Sequence, residues 1–565
     1  MDKIRSFVFE RVTVTGWLLI ASVLSVGLFN EYLCCAASII LCIYIFTLIR
    51  KNKKLVYVHG LSAFSVMIIP IFYLASVLWS VDAGMAFLGF LKFLPLPLFM
   101  LVVMQQKEPA DKYLEALPIV GVIMTAVSGI VMIFSPQNYF FAPVGRMAGF
   151  MQYSNTFALV LLVCLIVTAT KKKLDKFDYA CFPIFIAGIV LSGSRAVFVL
   201  MILAVIVLIF TSANKKIRLM LLAVTGAAIL IAAVYALVSG NFESIGRFLS
   251  ISFKRSTFQG RLLYYSDALP IVLKHPFGTG YLGFYYMQQS IQTGLYSVRY
   301  VHNDILQLAL DVGWIPIVLL IWAAVKSFMK KGASLRKRLL LIFMTAHCCF
   351  DMDFQFVSVF MIYILLLDVE VGKKTVVKSQ TMYKAGFAAV GCISLYMGTA
   401  LAADRFRFDS FSHMLYPWDT DVNIRALTDE EDAEQMNKKA DNIIAQNKYV
   451  TVAYSAKASY AFSQGDLNDM IKYKDKAIEN APLIGEEYVD YIRMLLIGEQ
   501  MLLESGDRAS ASFCDDKIRS VLDKFEHMSD KLSSFGKNIN DQPETELPEE
   551  MKEILVQNGF IHKEE

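Results

Sequence analysis

Thirteen apolar runs of bilayer-spanning length leave this chain little choice of fold. They lie near 13–29, 32–49, 61–79, 86–104, 113–134, 148–169, 177–193, 195–211, 217–239, 302–326, 338–352, 355–370 and 384–402. A hydrocarbon core about 30 Å thick is crossed by roughly 17 to 25 helical residues, and backbone groups inside it must be hydrogen-bonded within the segment. The expected fold class is therefore all-α: a polytopic membrane protein with about 12–13 transmembrane helices. Prolines interrupt some runs, Pro95 and Pro97 in the fourth and Pro316 in the tenth. Each reads as a packing kink or as a break lining a cavity.

Composition agrees: 56% of residues are hydrophobic, 18% are charged, and the mean hydropathy is +0.50. The overall charge of +4 hides a division, because residues 403–565 hold 33 acidic against 19 basic side chains. A basic membrane part, 1–402, is thus joined to an acidic polar part, 403–565. Of nine cysteines only Cys514 lies in the polar part, so a disulfide framework there is excluded. The adjacent pairs Cys34-Cys35 and Cys348-Cys349 lack metal-ligand spacing and read as small apolar packing residues. No small-residue cleavage site follows the basic start Met1-Asp2-Lys3-Ile4-Arg5, so the first helix is expected to stay as an anchor.

Orientation follows from the basic loops. Arg50-Lys51-Asn52-Lys53-Lys54, Lys171-Lys172-Lys173, Lys215-Lys216-Ile217-Arg218, the run from Lys326 to Arg338, and Lys373-Lys374 all fall on one side of the count. By the positive-inside rule that side is cytoplasmic. The N-terminus is then cytoplasmic, and the opposite side receives the segment from Ser135 to Gly149, the turn Gly193-Ser194-Arg195, the long stretch 240–301 and the whole region beyond 402. In that last region Tyr454, Ala458, Ala461, Gly465, Ala477 and Pro482 match the small-residue, turn and terminal-proline places of a 34-residue helix-turn-helix repeat. Amphipathic runs from Glu487 to Glu504 and from Arg508 to Leu532 predict further helices beside it, a TPR-like extracytoplasmic domain able to dock a protein partner. The acidic segment 536–553 is expected to be loosely ordered.

The stretch from Gly240 to Gly313 is where chemistry is expected. It carries Arg247, Lys254, Arg255, Arg261, Lys274 and Arg299 against Glu243 and Asp267, and leads into His302-Asn303-Asp304 at the start of an apolar helix. Loops of about 60 residues are weakly held by the positive-inside rule, so the surplus charge needs another cause. A helix start offers unpaired N–H groups and the positive end of its dipole, so cations gathered before one suit an anion such as a lipid pyrophosphate.

Within this stretch Gly260-Arg261-Leu262-Leu263-Tyr264-Tyr265-Ser266-Asp267-Ala268 is followed by Leu273-Lys274-His275-Pro276-Phe277-Gly278-Thr279-Gly280-Tyr281 and then by His302-Asn303 with Gly313 further on. Together with Ser192-Gly193-Ser194-Arg195 and His347-Cys348-Cys349-Phe350-Asp351-Met352-Asp353, this order resembles the O-antigen ligase and polymerase family of bacterial envelope enzymes, over roughly residues 150–370. Pro316 departs from the pattern, standing where a second glycine often follows Gly313. The resemblance implies a GT-C-like, metal-independent glycosyltransferase without cofactor. Such an enzyme moves a glycan from undecaprenyl pyrophosphate to an acceptor hydroxyl on a cell-surface glycan, lipid or protein, at the outer face of the cytoplasmic membrane. On that reading Arg195 and Arg261 bind the pyrophosphate through guanidinium forks, and His302 is the general base, an imidazole of ordinary pKa about 6.5 being suited to proton transfer at neutral pH. Asn303, Asp267, Asp351 and Asp353 support the site, Asp267 by orienting an arginine or as an alternative base.

Blander readings stand beside these. Arg195 can snorkel to lipid head groups, His302 can be a helix-start cap, Asp351 and Asp353 can be caps, and the aromatic residues from Phe242 to Tyr300 can form an interfacial belt. The same motifs serve a polymerase that joins lipid-linked repeat units. A transporter is the alternative of another class, against which stands the lack of matching halves with ionisable groups at the midplane. No Gly-x-x-x-x-Gly-Lys loop and no Mg²⁺-type acidic cluster is present in the sequence, so nucleotide hydrolysis is not indicated, and neither a metal nor a nucleic-acid partner is expected.

Overall fold

A computed structural model describes residues 12–136, 138–211, 215–239, 256–377 and 380–562. Among the described residues the protein is an all-α polytopic membrane protein, its helices relieved by a single two-stranded ribbon. The helices Glu31–Asn52, Ala83–Met104, Lys112–Phe134 and Thr381–Arg405 are each long and apolar enough to cross a bilayer. Shorter apolar helices run Val14–Leu24, Leu61–Ser76, Ser154–Ala169, Arg195–Thr211 and Trp314–Met329. Several of the expected continuous runs are divided. The tenth becomes Asp304–Val312 and Trp314–Met329, parted at Gly313, whose φ of +78° and ψ of −171° belong to a region open essentially to glycine. Pro316 then falls in a first turn, where a missing N–H breaks no intrahelical bond, so it neither kinks nor lines a break. Pro95 likewise opens the helix Pro95–Met104.

The chain forms two compact units: residues 1–75, 87–252 and 302–405 make the first, and 76–86, 253–301 and 406–565 the second. In the first, Ser154–Ala169 is the central helix. It is apolar on all sides, and Asn155 alone among its residues is not buried. A helix hydrophobic all round must be enclosed, and Leu117–Phe134, Lys176–Ser192, Arg195–Thr211 and Leu335–Cys348 surround it. The basic loops gather together. Strands Leu55–His59 and Lys373–Val377 pair antiparallel, Leu55 opposite Val377 and His59 opposite Lys373, which joins the segment that follows 50–54 to the one that opens with 373–374. Arg336 reaches Thr170 Oγ1 at 2.9 Å, and Lys330 and Lys337 both pair with Asp368.

In the second unit the expected long loop is largely helical, Ser256–Lys274 and Gly283–Ile291, and it groups with the C-terminal helices rather than with the membrane part. The turn between the two helices needs its glycines. Gly278 and Gly280 have φ of +83° and +85°, and a Cβ on Gly280 would lie 2.4 Å from that of Ser80. The Thr279 carbonyl accepts from Val81 N at 2.9 Å. Helices Thr451–Ser463 and Leu467–Asn480 form the helix-turn-helix, turning at Gly465 with φ of +73° and burying Ala458, Ala461 and Ala477. Gly485–Ser505 and Arg508–Glu526 continue the array over a core that includes Tyr488, Tyr491, Leu495, Ile518 and Phe525.

The acidic segment 536–553, read above as loosely ordered, is seated. Ile539 packs with Leu263 and Tyr296, Met551 joins the helical core, and the turn before it is tied down by Ser533 N donating to Thr293 O at 2.9 Å. Two apolar anchors in an acidic stretch are enough to order it, and composition averaged over eighteen residues hides them.

Candidate functional site

The site in the first unit is built at the N-terminal end of the central helix. Asn303 caps the helix Asp304–Val312, its Oδ1 accepting from Leu306 N at 3.0 Å. His302, just before the cap, has φ of +50°. A left-handed conformation outside glycine costs roughly 1 to 3 kcal/mol and persists only where the surroundings fix it. What fixes it here is Asp351: His302 Nδ1 lies 3.2 Å from Asp351 Oδ1, with the carboxylate buried and the imidazole 24% exposed. A proton on Nδ1 donated to the carboxylate leaves Nε2 as the acceptor of the ring, on a side chain that solvent reaches.

Asp351 is held in turn. Tyr153 donates to Oδ1 at 2.7 Å, Met352 N to Oδ1 at 3.0 Å, and Asn155 Nδ2 to Oδ2 at 2.7 Å. The Tyr153 hydroxyl also lies 3.5 Å from His302 Nδ1. The amide of Asn155 cannot turn over freely, because its Oδ1 accepts from Arg146 Nη2 at 2.9 Å. Arg146 Nε donates to the Ser192 carbonyl at 2.8 Å, and so pins the left-handed Gly193 turn, φ +62°, that ends one helix before Arg195 opens the next. A continuous chain of hydrogen bonds therefore runs from His302 through Asp351 and Asn155 to Arg146 and the turn that carries Arg195. The arrangement combines an imidazole oriented by a buried carboxylate with an arginine that pins the turn from which Arg195 opens its helix, suited to taking a proton from a hydroxyl beside a cationic helix start.

Below this layer Asp353 accepts from Thr156 Oγ1 at 2.7 Å and pairs with His347 Nδ1, and Asp304 Oδ2 accepts from Phe354 N at 2.9 Å. These bonds clamp the turn 347–356, so Asp353 supports Asp351 through the backbone and is not a cap. Among the described residues, Asp304, Cys348 and Asp353 bring ligand-capable atoms within 4.8 Å of one another, a buried grouping that their sequence spacing did not announce.

The second unit holds the other expected residues. Arg261 sits in the helix Ser256–Lys274. Asp267, read above as an arginine partner or alternative base, instead joins that helix to the segment after Ile291: its oxygens accept from Thr293 N at 2.9 Å, Thr293 Oγ1 at 2.7 Å and the Tyr296 hydroxyl at 3.1 Å. Burial pushes its carboxyl above the usual range, against the pull of those hydrogen bonds. Arg299, counted above with the anion-binding cations, pairs with Asp421 at 3.1 Å. Arg247, Lys254 and Arg255 lie outside the described residues.

Sequence reading missed Arg146, Tyr153 and Asn155. Two signals were there: Arg146 is the sole basic residue in the outward segment from Ser135 to Gly149, and Asn155 is an amide at the head of an otherwise apolar helix.

Residues 180–321 match the O-antigen ligase family. The match supports an assignment to that family and an O-antigen ligase- or polymerase-type function in general, and with it lipid-linked glycan and membrane lipids as partners. It encloses Arg195, Arg261, His302 and Asn303, and leaves Arg146, Tyr153, Asn155, Asp351 and Asp353 outside. No curated protein matches the chain.

Proposed function

We propose that the protein is a ligase that transfers a glycan from undecaprenyl pyrophosphate to an acceptor hydroxyl at the outer face of the cytoplasmic membrane, without a metal or cofactor. The observation that carries the reading is His302 held by buried Asp351 at the head of the central helix. His302 Nε2 takes the proton of the acceptor hydroxyl as its oxygen attacks the anomeric carbon. The bond from that carbon to the pyrophosphate oxygen breaks, and the electron pair leaves with the pyrophosphate. Arg195 stabilises the departing charge, Arg146 fixes the turn from which Arg195 acts, and Asp351 stabilises the imidazolium formed. Arg261 keeps the pyrophosphate role that its motif implies. The gathering of basic loops in the first unit supports the topology read from the sequence, in which the region beyond 402 is extracytoplasmic.

The test is purified protein incubated with lipid-pyrophosphate glycan and candidate acceptors. A single addition supports the ligase; a ladder of lengths supports a polymerase acting through the same residues. No transfer by wild type, or full transfer by His302→Ala, would remove the proposal.

A further inference from the structure

The second unit contains a cavity of about 330 Å³ that the chemistry above does not use. Tyr285 and Gln289 of the helix Gly283–Ile291 line one wall, and Ile424, Tyr449, Thr451 and Glu487 line the rest. We infer that this groove binds a short neutral stretch of glycan, an inference that rests on the transferase reading for the source of that ligand.

Charge points the same way. Glu487 accepts from Ser455 Oγ at 2.8 Å and from Lys474 Nζ at 3.0 Å, so the one acidic side chain in the lining is already engaged, by an ammonium it shares with Asp490, and the lining includes no Lys or Arg. A phosphate would find no counter-charge and a cation no open carboxylate. What remains is tyrosine rings and an isoleucine for an apolar ring face, with amide and hydroxyl groups for a ligand rich in hydroxyls, the mixture that orients a neutral polar ligand in a pocket. The volume lies in the lower part of the small-ligand range of about 300 to 1,000 Å³, room for a segment of a chain rather than the whole.

The walls are fixed in advance. Tyr286 donates to Asp421 at 2.7 Å, and Arg299, bound to the same carboxylate, lies 5.8 Å over the Tyr285 ring. Asn480 donates to Lys448 O at 2.8 Å and Tyr449 N to Asn447 Oδ1 at 3.1 Å, holding the segment that presents Tyr449. Thr451 Oγ1 meets Gln289 Oε1 at 3.3 Å, a weak contact across the cavity that a ligand hydroxyl can replace. Preorganisation of this kind lowers the ordering cost of binding. An extended peptide is the other occupant a helical array suggests, but the described walls are helices and turns and offer it no strand edge.

The experiment uses the full chain in nanodiscs and, as probe, the surface polysaccharide of the source organism released from its lipid by mild acid. Wild type is expected to bind it. Tyr449→Ala, and Val452→Trp placed on an exposed lining residue so that folding is undisturbed, are expected to weaken binding at least tenfold. Equal binding by Val452→Trp, no binding by wild type, or binding of a random peptide mixture in place of the polysaccharide each overturns the inference. Transfer from lipid-pyrophosphate glycan is measured separately. Transfer without groove binding sinks this inference and spares the enzyme, whereas groove binding without transfer sinks the transferase reading and spares the groove.

Discussion

Asp351→Asn tests the hydrogen-bond chain with almost no change of volume. The carboxylate accepts at both oxygens: Tyr153, His302 and Met352 N meet Oδ1, and Asn155 Nδ2 meets Oδ2. Asparagine can keep an acceptor on only one side. If its oxygen stays toward His302, its NH₂ faces the NH₂ of Asn155, and Asn155 cannot turn over without presenting its own NH₂ to the Arg146 guanidinium. If its oxygen turns to Asn155, its NH₂ faces the Tyr153 hydroxyl and the imidazole, and His302 is pushed to the other tautomer. Either way one charge-assisted hydrogen bond is lost, worth about 1.5 to 3 kcal/mol, or about 10- to 150-fold in rate. The expected outcome is a fall in kcat of that size with the KM for the lipid-linked donor within a few-fold, since Asp351 acts through His302 and not on the donor. The assay is single-turnover transfer by purified protein, with membrane insertion and monodispersity checked for each variant. The decisive arm is the double variant: His302→Ala with Asp351→Asn should be no slower than His302→Ala alone, because residues acting as a unit are not additive. Multiplicative losses, or a wild-type kcat in Asp351→Asn, would refute the argument that this carboxylate works by orienting His302.

His302→Ala is expected to insert normally and to lower transfer by about 10²- to 10⁴-fold, the range for loss of a general base, measured in the same assay. Arg195→Lys and Arg261→Lys should fall nearly as far as the alanine variants, roughly one to two powers of ten, if guanidinium forks hold the pyrophosphate; full activity in either lysine variant, read as rate against donor concentration, would mark that arginine as a snorkelling anchor. Arg146→Lys keeps the charge but cannot hold both the Ser192 carbonyl and Asn155, so kcat should drop about tenfold or more while expression stays normal. In a background lacking Cys349 and Cys392, the cysteines that are not buried, Ser463→Cys should react with an impermeant reagent in intact cells and Ser334→Cys should not; the reverse pattern would overturn the topology.

Features that repeat along the chain were legible in the sequence, and features that depend on which helices meet were not. Hydropathy alone separates the apolar runs, and the polar switch near residue 403 follows from composition, because both are sums over many residues. The helix boundaries at His302 and Arg195 carry a marked local signature in the sequence, a histidine before an asparagine cap and an arginine after a Ser-Gly-Ser turn. The partners of His302, Tyr153 and Asp351, stand 149 and 49 residues away in sequence, and Asn155, which holds Asp351, stands 147 away. Asp351 stands out in the sequence as an ionisable group in an apolar setting, but neither its target nor its tautomer-setting role follows from that.

The misreadings share a physical origin. Asp267 lies in a stretch rich in basic residues, so charge counting offered it an arginine, whereas the fold gives it a backbone N–H and two hydroxyls. Arg299 was counted as a cation seeking an anion, and the protein supplies that anion itself at Asp421. A surplus of charge along a segment bounds what the segment can bind only after its internal pairs have been removed, and internal pairs are set by tertiary contacts. Arg146 shows the converse. It is the sole cation of its segment and was passed over in the sequence, yet two directed hydrogen bonds make it the residue on which both Asn155 and the Arg195 turn depend. The guanidinium fork explains why an arginine stands there: a lysine ammonium is a point charge, and this position must hold a backbone carbonyl and a side-chain amide at fixed, separate directions.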